Sequence, residues 1–203
     1  MIKNLIFDFG DVFINLDKSG AIQHALNLFG IESFSEELIG CNEQFEKGDI
    51  SSADFIEFYQ NKFPHCNHDD IVFAWNFILK DFPTHRLAFL NDLKSQGSYR
   101  LFLLSNTNEI HIDFIKNKYD FFEDFKSCFD QFYLSHEVRM RKPNREIFEL
   151  VLQENRLDPK ECLFIDDTKE NTDSADLLGI HTWNLDQTKQ DVVDLFFIKS
   201  ALF

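Results

Sequence analysis

Residues 2–11 read Ile2-Lys3-Asn4-Leu5-Ile6-Phe7-Asp8-Phe9-Gly10-Asp11, an apolar, β-prone run that ends abruptly on a carboxylate. Three runs of the same kind follow: residues 99–104 (YRLFLL, then Ser105), residues 161–165 (ECLFI, then Asp166 and Asp167) and residues 180–183 after Gly179. Strands that are apolar at consecutive positions read as buried on both faces, as in a parallel sheet held between helices. Helical periodicity fills the intervals. Residues 85–96 carry Leu87, Phe89, Leu90 and Leu93 before Gly97; residues 143–154 carry Ile147, Phe148, Val151 and Leu152 after Pro143; residues 168–178 end at Gly179. The alternation predicts an α/β, Rossmann-like doubly wound parallel sheet.

On this reading Asp8, Ser105 and the Asp166-Asp167 pair each stand at the carboxyl end of a parallel strand, the edge where open α/β sheets bind ligands. About ninety residues separate the first two strands, far more than the dozen or so that a crossover needs. Much of that stretch reads as amphipathic helices over residues 21–29, 35–46, 52–63 and 68–79, with turn and cap chemistry at Asp49-Ile50-Ser51-Ser52. The expected organisation is a core of residues 1–16 and 82–203 with a helical insertion at 17–81 overhanging the carboxyl edge. No linker tract or internal repeat interrupts it.

Composition narrows the partners. In 203 residues, 20 Lys and Arg face 35 Asp and Glu, a net charge of −15, so neither nucleic acid nor an anionic membrane is an expected partner. Twenty-five Phe and 44% hydrophobic residues suffice for a sizeable core, which excludes disorder. No apolar run approaches the ~20 residues that span a bilayer. Met1 leads straight into the first strand without the zones of a signal peptide, and the expectation is a soluble, cytoplasmic protein. Cys41, Cys66, Cys128 and Cys162 have no metal-site spacing and read as buried or half-buried thiols. Oligomeric state is left open.

A lone acid after a strand is more often a cap or turn residue, so Asp8 gains meaning only from its company. FDFGDV around Asp8, LLSNTN around Ser105, RKP around Lys142 and FIDDTKEN around Asp166-Asp167 occur in that order, each on its expected element. In these four segments the chain resembles the haloacid dehalogenase (HAD) superfamily, mostly Mg²⁺-dependent phosphatases with a nucleophilic aspartate. The resemblance spans nearly the whole chain, and the helical insertion resembles that superfamily's class-1 cap.

The resemblance implies a small phosphorylated substrate and a role for each residue. Asp8 would attack phosphorus and lend an oxygen to Mg²⁺, Gly10 would add its carbonyl, Asp167 would ligate directly and Asp166 through water. Ser105 and Asn106 would cradle the phosphoryl group, Lys142 would bridge nucleophile and phosphate, and Asn171 would orient neighbouring loops. Physical chemistry agrees with the scheme. A carboxylate approaching a phosphate needs a cation to offset repulsion, and Mg²⁺ prefers oxygen ligands. Helix starts bind anions, although Ser105 is also compatible with simple N-capping, and the Asp166-Asp167 pair with a helix cap. Around Lys142, the cations Arg139, Arg141 and Arg145 read as a solvated basic face.

The chain departs from the superfamily at one place. Most of its phosphatases read DxD, the second aspartate being the general acid/base, whereas here the segment is Asp8-Phe9-Gly10. Asp11 comes one residue late, which should turn its side chain away from Asp8. The chain is similar to a DxG branch that includes α-D-glucose-1-phosphate phosphatases, so a sugar phosphate is the leading expectation for substrate. Sugar 1-phosphates and acyl phosphates need little protonation on leaving. Two alternatives stand beside it: a metal-free 2-haloacid dehalogenase, opposed by the extra carboxylates, and a weakened protein that binds a metabolite as a regulator.

In the insertion, Phe45, Glu46, Lys47, Trp75 and Asn76 are candidates for facing the substrate, with packing the stronger reading for Phe45 and Trp75. His111 is near Ser105 in sequence, but a following helix would carry it from the strand edge, and the histidines read as surface residues. Residues 192–203 (VVDLFFIKSALF) are amphipathic and should cover one side of the sheet.

Overall fold

The computed structural model describes residues Met1–Phe203. Five strands, β1 (Asn4–Phe7), β2 (Arg100–Ser105), β3 (Gln131–Leu134), β4 (Cys162–Asp166) and β5 (His181–Asn184), form one sheet in the order β3-β2-β1-β4-β5. All four pairings are parallel, with Leu5 opposite both Leu101 and Leu163. The sequence reading anticipated every strand except β3. That strand is four residues long at the sheet edge, and it starts on an exposed Gln131, so its apolar run is too short to register.

Successive strand residues face opposite sides, and both sides are covered. Leu5, Phe7, Leu101, Leu103, Leu163 and Ile165 enter the larger core, against α5 (Thr84–Gln96), α6 (Glu109–Lys118) and α7 (Phe122–Ser127). The chain's last residues close this side: Val192 and Leu195 are buried, the latter opening α11 (Leu195–Ile198), and Phe196 and Phe203 pack on Tyr99. Ile6, Phe102, Leu104 and Phe164 face the other way, against α9 (Arg145–Asn155) and α10 (Lys169–Asp176). The four-residue α8 (Ser135–Val138) follows β3 directly. All four cysteines are buried and unpaired.

Between β1 and β2, α1 (Lys18–Phe29), α2 (Glu36–Glu46), α3 (Ser52–Lys62) and α4 (His68–Asn76) gather a separate core of Ala25, Phe29, Leu38, Phe45, Phe55, Tyr59 and Ile71. Ser35, Ser51 and Asn67 accept hydrogen bonds from the first-turn amides of α2, α3 and α4, which fixes where each helix starts. The segment expected to be helical to residue 79 ends at Asn76, and α9 begins two residues after Pro143, behind Asn144. No helix is long and apolar enough to cross a membrane.

Phe125 is the hub of the larger core, its ring 5.1–5.2 Å from those of Phe9, Phe13, Phe82 and Phe129. Phe125→Ala should cost about 3–5 kcal/mol in urea unfolding. Phe197→Ser, at a side chain 86% exposed, should stay within about 0.5 kcal/mol.

Candidate active site

In the order β3-β2-β1-β4-β5 the chain works outward from β1 to one edge, then returns to build β4 and β5 on its other side. The crevice at that switch, between the carboxyl ends of β1 and β4, is the expected ligand site of an open α/β sheet. Asp8 follows β1 and Asp166 closes β4, so the topology alone makes them neighbours.

Lys142, on the segment between α8 and α9, enters the same crevice. Its Nζ donates to Asp8 Oδ1 at 2.7 Å and to Asp166 Oδ2 at 2.6 Å, and its side chain is 1% exposed. The backbone there is held by Asn106, whose Oδ1 accepts from Lys142 N–H and whose Nδ2 donates to the Lys142 carbonyl, both at 2.8 Å. Asp166 is engaged on both oxygens, by Lys142, by Asn171 Nδ2 (3.0 and 3.1 Å) and by the Thr168 amide (2.8 Å). Asp167 takes a different partner: Lys18, the first residue of α1, lies 2.5 Å from its Oδ2 and 3.0 Å from Asp11 Oδ2.

Burial pushes the Asp8 carboxyl above its usual range, with the Lys142 ammonium working against that rise and the Asp166 charge adding to it. Burial also raises Asp167, against the pull of Lys18. For Lys142 burial acts downward, but Asp166 and Asp8 outweigh it and hold the ammonium charged. Two ammonium groups therefore face four carboxylates, Asp8, Asp11, Asp166 and Asp167. The deficit equals one divalent cation. Asp8, Asp166 and Asp167 each offer an oxygen within 4.8 Å of the others, a hard donor set that suits Mg²⁺.

A cavity of about 460 Å³ opens above this cluster, lined by Asp8, Gly10, Ser105, Asn106, Lys142 and Asp167 among others. The main-chain N–H groups of Phe9, Gly10 and Asn106, which line it, find no acceptor within the chain. Unpaired amides on residues that line a cavity beside an ammonium suit an anion. A Cβ at Gly10 would lie 2.7 Å from Leu16 Cδ1, the tip of a half-buried side chain that would have to shift, and 4.0 Å from Asp8 Oδ2. Asp11 stands at φ 56° with Oδ1 accepting from Leu16 N–H at 2.9 Å and Oδ2 beside Lys18. It shapes the turn and does not line the cavity.

Several residues lie elsewhere than the sequence suggested. Phe45 is buried in the helical unit, stacked on Phe55 at 4.2 Å, as the stronger of its two readings had it; Lys47 caps α2, and neither it nor the buried Asn76 lines the main cavity or a second one. Glu46 does line the main cavity, and Trp75 lines that second one. Asn106 spends its side chain on the Lys142 backbone, leaving only its amide for an anion. Asn108, not Ser105, caps α6.

Lys18, Arg141 and His111 went unrecognised as site residues. Arg141, read as a solvated cation, pairs with Glu43 (3.0 Å) and Glu46 (2.9 Å) and lines both cavities. His111, read as a surface residue, lies in the first turn of α6, too early for the helix to carry it from the edge. It accepts from Asn108 Nδ2 and donates from Nε2 to the Trp75 carbonyl at 3.0 Å. The signal for both was adjacency, Arg141 to Lys142 and His111 to the Ser105 loop.

A family model described as haloacid dehalogenase-like hydrolase matches residues 2–177. The chain belongs to that family. It is 29% identical over 196 residues to the D-ribitol-5-phosphate phosphatase of Bacteroides thetaiotaomicron, covering 90% of this chain and 91% of that one. A HAD family enzyme of the same organism, in complex with magnesium and inorganic phosphate, is 37% identical with a TM-score of 0.83, over 97% of this chain and 100% of its own. A HAD-like family hydrolase of Porphyromonas gingivalis gives a TM-score of 0.82 at 28% identity, covering 100% and 98%.

In this HAD hydrolase His111 joins the helical unit to the sheet as a neutral ring. Burial pulls it down to about 4, with the Trp75 carbonyl opposing and the His136 charge assisting. An unfolded histidine titrates near 6.5, so between about pH 6.5 and 4 the unfolded chain takes up a proton that the folded chain refuses. This contribution to stability is complete above pH 6.5 and is lost as the pH falls towards 4. His111→Gln should flatten that part of the pH dependence, measured by urea unfolding from pH 7 to 4.

Proposed function

We propose that the chain is a Mg²⁺-dependent phosphomonoesterase for a small phosphorylated metabolite, with Asp8 as the nucleophile. One observation carries this: a buried carboxylate with a free oxygen shares a crevice with a two-charge deficit and three unpaired main-chain amides. The phosphatase relative, and the neighbour holding magnesium and phosphate, support the same reading.

Asp8, Asp167 and the Gly10 carbonyl would hold the ion, with Asp166, already engaged on both oxygens, acting through water. Bound there, Mg²⁺ would supply positive charge to offset repulsion between the carboxylates and the phosphoryl oxygens. Lys142 fixes Oδ1 of Asp8 and leaves Oδ2 to attack phosphorus, forming an acyl phosphate as the substrate's oxygen departs. Water then attacks phosphorus, releasing phosphate and restoring Asp8. Ser105 and the Phe9, Gly10 and Asn106 amides receive the phosphoryl oxygens, and the Lys142 ammonium balances charge developing on them. The unit of α1–α4 serves as the cap.

No carboxyl stands at position 10 to protonate the leaving group, and Asp11 is committed to the turn. The fitting substrates leave with little protonation, as sugar 1-phosphates and acyl phosphates do. The chemistry disfavours a 2-haloacid, whose own carboxylate would enter a site already short of positive charge. A metabolite-binding regulator is the second reading, favoured by the missing acid at position 10.

Turnover separates these readings. Phosphate release from acetyl phosphate and glucose 1-phosphate should require Mg²⁺ and fall to background in EDTA, with no chloride released from 2-chloropropionate. Asp8→Asn should abolish turnover while inorganic phosphate with Mg²⁺ still raises its melting temperature. Wild-type rates in Asp8→Asn would exclude the nucleophile assignment, and binding without turnover in the native chain would favour the regulator.

A further inference from the structure

Asp8, Asp166 and Asp167, the carboxylates grouped for a cation, each have an oxygen already taken by the chain. Lys142 Nζ donates to Asp8 Oδ1 at 2.7 Å, and Asp166 is engaged on both oxygens. Asp167 is held by Lys18, whose Nζ donates to Oδ2 at 2.5 Å. Its Oδ1 meets only the Thr168 hydroxyl, at 3.4 Å, a long and weak contact. Lys142 belongs to the arrangement that holds the nucleophile. Lys18 does not: it reaches Asp167 from α1, outside the sheet, and no step of the proposed reaction uses it.

Lys18 is itself fixed. Its Nζ also lies 3.0 Å from Asp11 Oδ2, a buried oxygen without a hydrogen-bond partner, so this ammonium is what balances that charge. Asp11 in turn is anchored through Oδ1, which accepts from Leu16 N–H at 2.9 Å. The helix that carries Lys18 is capped by Asp17, which accepts from Gly20 N–H at 2.8 Å and pairs with Lys80 at 3.2 Å. A buried acid and a capped helix start therefore keep one ammonium on Oδ2 of Asp167, although the lysine side chain is 47% exposed. Mg²⁺ is satisfied by single oxygens in an octahedral array, whereas the larger Ca²⁺ takes about six to eight and often both oxygens of one carboxylate. A carboxylate that has given one oxygen to an ammonium has one left to offer.

We propose that Lys18 selects the ion: by occupying Oδ2 of Asp167 it limits that residue to one metal-facing oxygen and so favours Mg²⁺ over Ca²⁺. The inference rests on the phosphatase reading and names a positioning residue for the ion of that same site. Discrimination of this kind denies the wrong ion its coordination rather than adding contacts to the right one. Charge alone does not discriminate. Both ions are divalent, so removing the Lys18 charge changes the attraction for each nearly alike. The number of oxygens on offer is what separates them.

The test titrates the native chain and Lys18→Met with Mg²⁺ alone and with Ca²⁺ alone, in a calorimeter. The ratio of the Ca²⁺ to the Mg²⁺ dissociation constant should fall roughly tenfold in Lys18→Met, the scale of effects at residues that orient a metal ligand. In turnover of acetyl phosphate at fixed Mg²⁺, Ca²⁺ should inhibit the variant at a correspondingly lower concentration than the native chain. A purely structural role for Lys18 would weaken both ions together, and a purely electrostatic one would tighten both together. A ratio unchanged or raised in Lys18→Met, in either case, would overturn the assignment and leave the phosphatase reading standing. No Mg²⁺ bound by the native chain, alone or with inorganic phosphate, would remove that reading, and the role of Lys18 with it.

Discussion

An ammonium group almost closed off from water lies between two carboxylates, at the carboxyl ends of neighbouring strands β1 and β4. Removing such ions from water costs several kcal/mol each, and mutual attraction offsets that only where geometry is good and the remaining lone pairs are occupied. Here they are. Asn171 and the Thr168 amide complete Asp166, and Asn106 clamps the main chain that carries Lys142. The contributors come from β1, β4, the loop after β2, the segment before α9 and the start of α10. The cluster therefore assembles only when β1, β2 and β4 have come together, and Asp8 is oriented by the fold itself. Loss of Lys142 would leave two buried carboxylates facing each other, which makes this one side chain structural and chemical at once.

The same economy governs the turn after β1. Asp11 adopts a left-handed backbone, accepts from Leu16 and meets Lys18, while Leu16 fills the space that a side chain at position 10 would need. From there the chain leaves for the helical unit, and it returns beside its own exit. Asp17 N–H donates to Ile78, Asn15 N–H to Asp81 and Lys80 N–H to Asn15, a hydrogen-bonded neck between the two connecting segments. The glycine at position 10 thus sits against the neck: a side chain there would have to shift the tip of Leu16, whose main chain is held by Asp11.

What the sequence disclosed follows from how far each signal extends. Continuous apolar runs identified β1, β2 and β4 because each is buried on both faces, and the edge strand β5 showed through Gly179 and the short run that follows it, whereas the four-residue edge strand β3 left no such trace. Asp8, Lys142 and the Asp166-Asp167 pair were legible because strand ends and motif order mark them before any contact is known. Arg141, Lys18 and His111 were not, because their meaning lies in partners from another unit: Glu43 and Glu46 on α2, Asp167 after β4, and the Trp75 carbonyl on α4. Asn76 shows the reverse error: proximity to Trp75 suggested contact with a ligand, but its side chain is buried away from both cavities.

The absence of an acid at position 10 also bears on how much the rest of the cavity can contribute. A general acid/base supplies ~10²–10⁴-fold, or about 3–5 kcal/mol of barrier. Hydrogen bonds to the rest of a substrate are worth about 1 kcal/mol each, and only the part gained in the transition state lowers the barrier. Three such bonds, even fully expressed, reach only the lower end of that range. On the phosphatase reading the remainder would come from the substrate, through an oxygen that departs with little need of a proton, a demand that an anomeric or acyl oxygen meets more readily than a primary alkoxide.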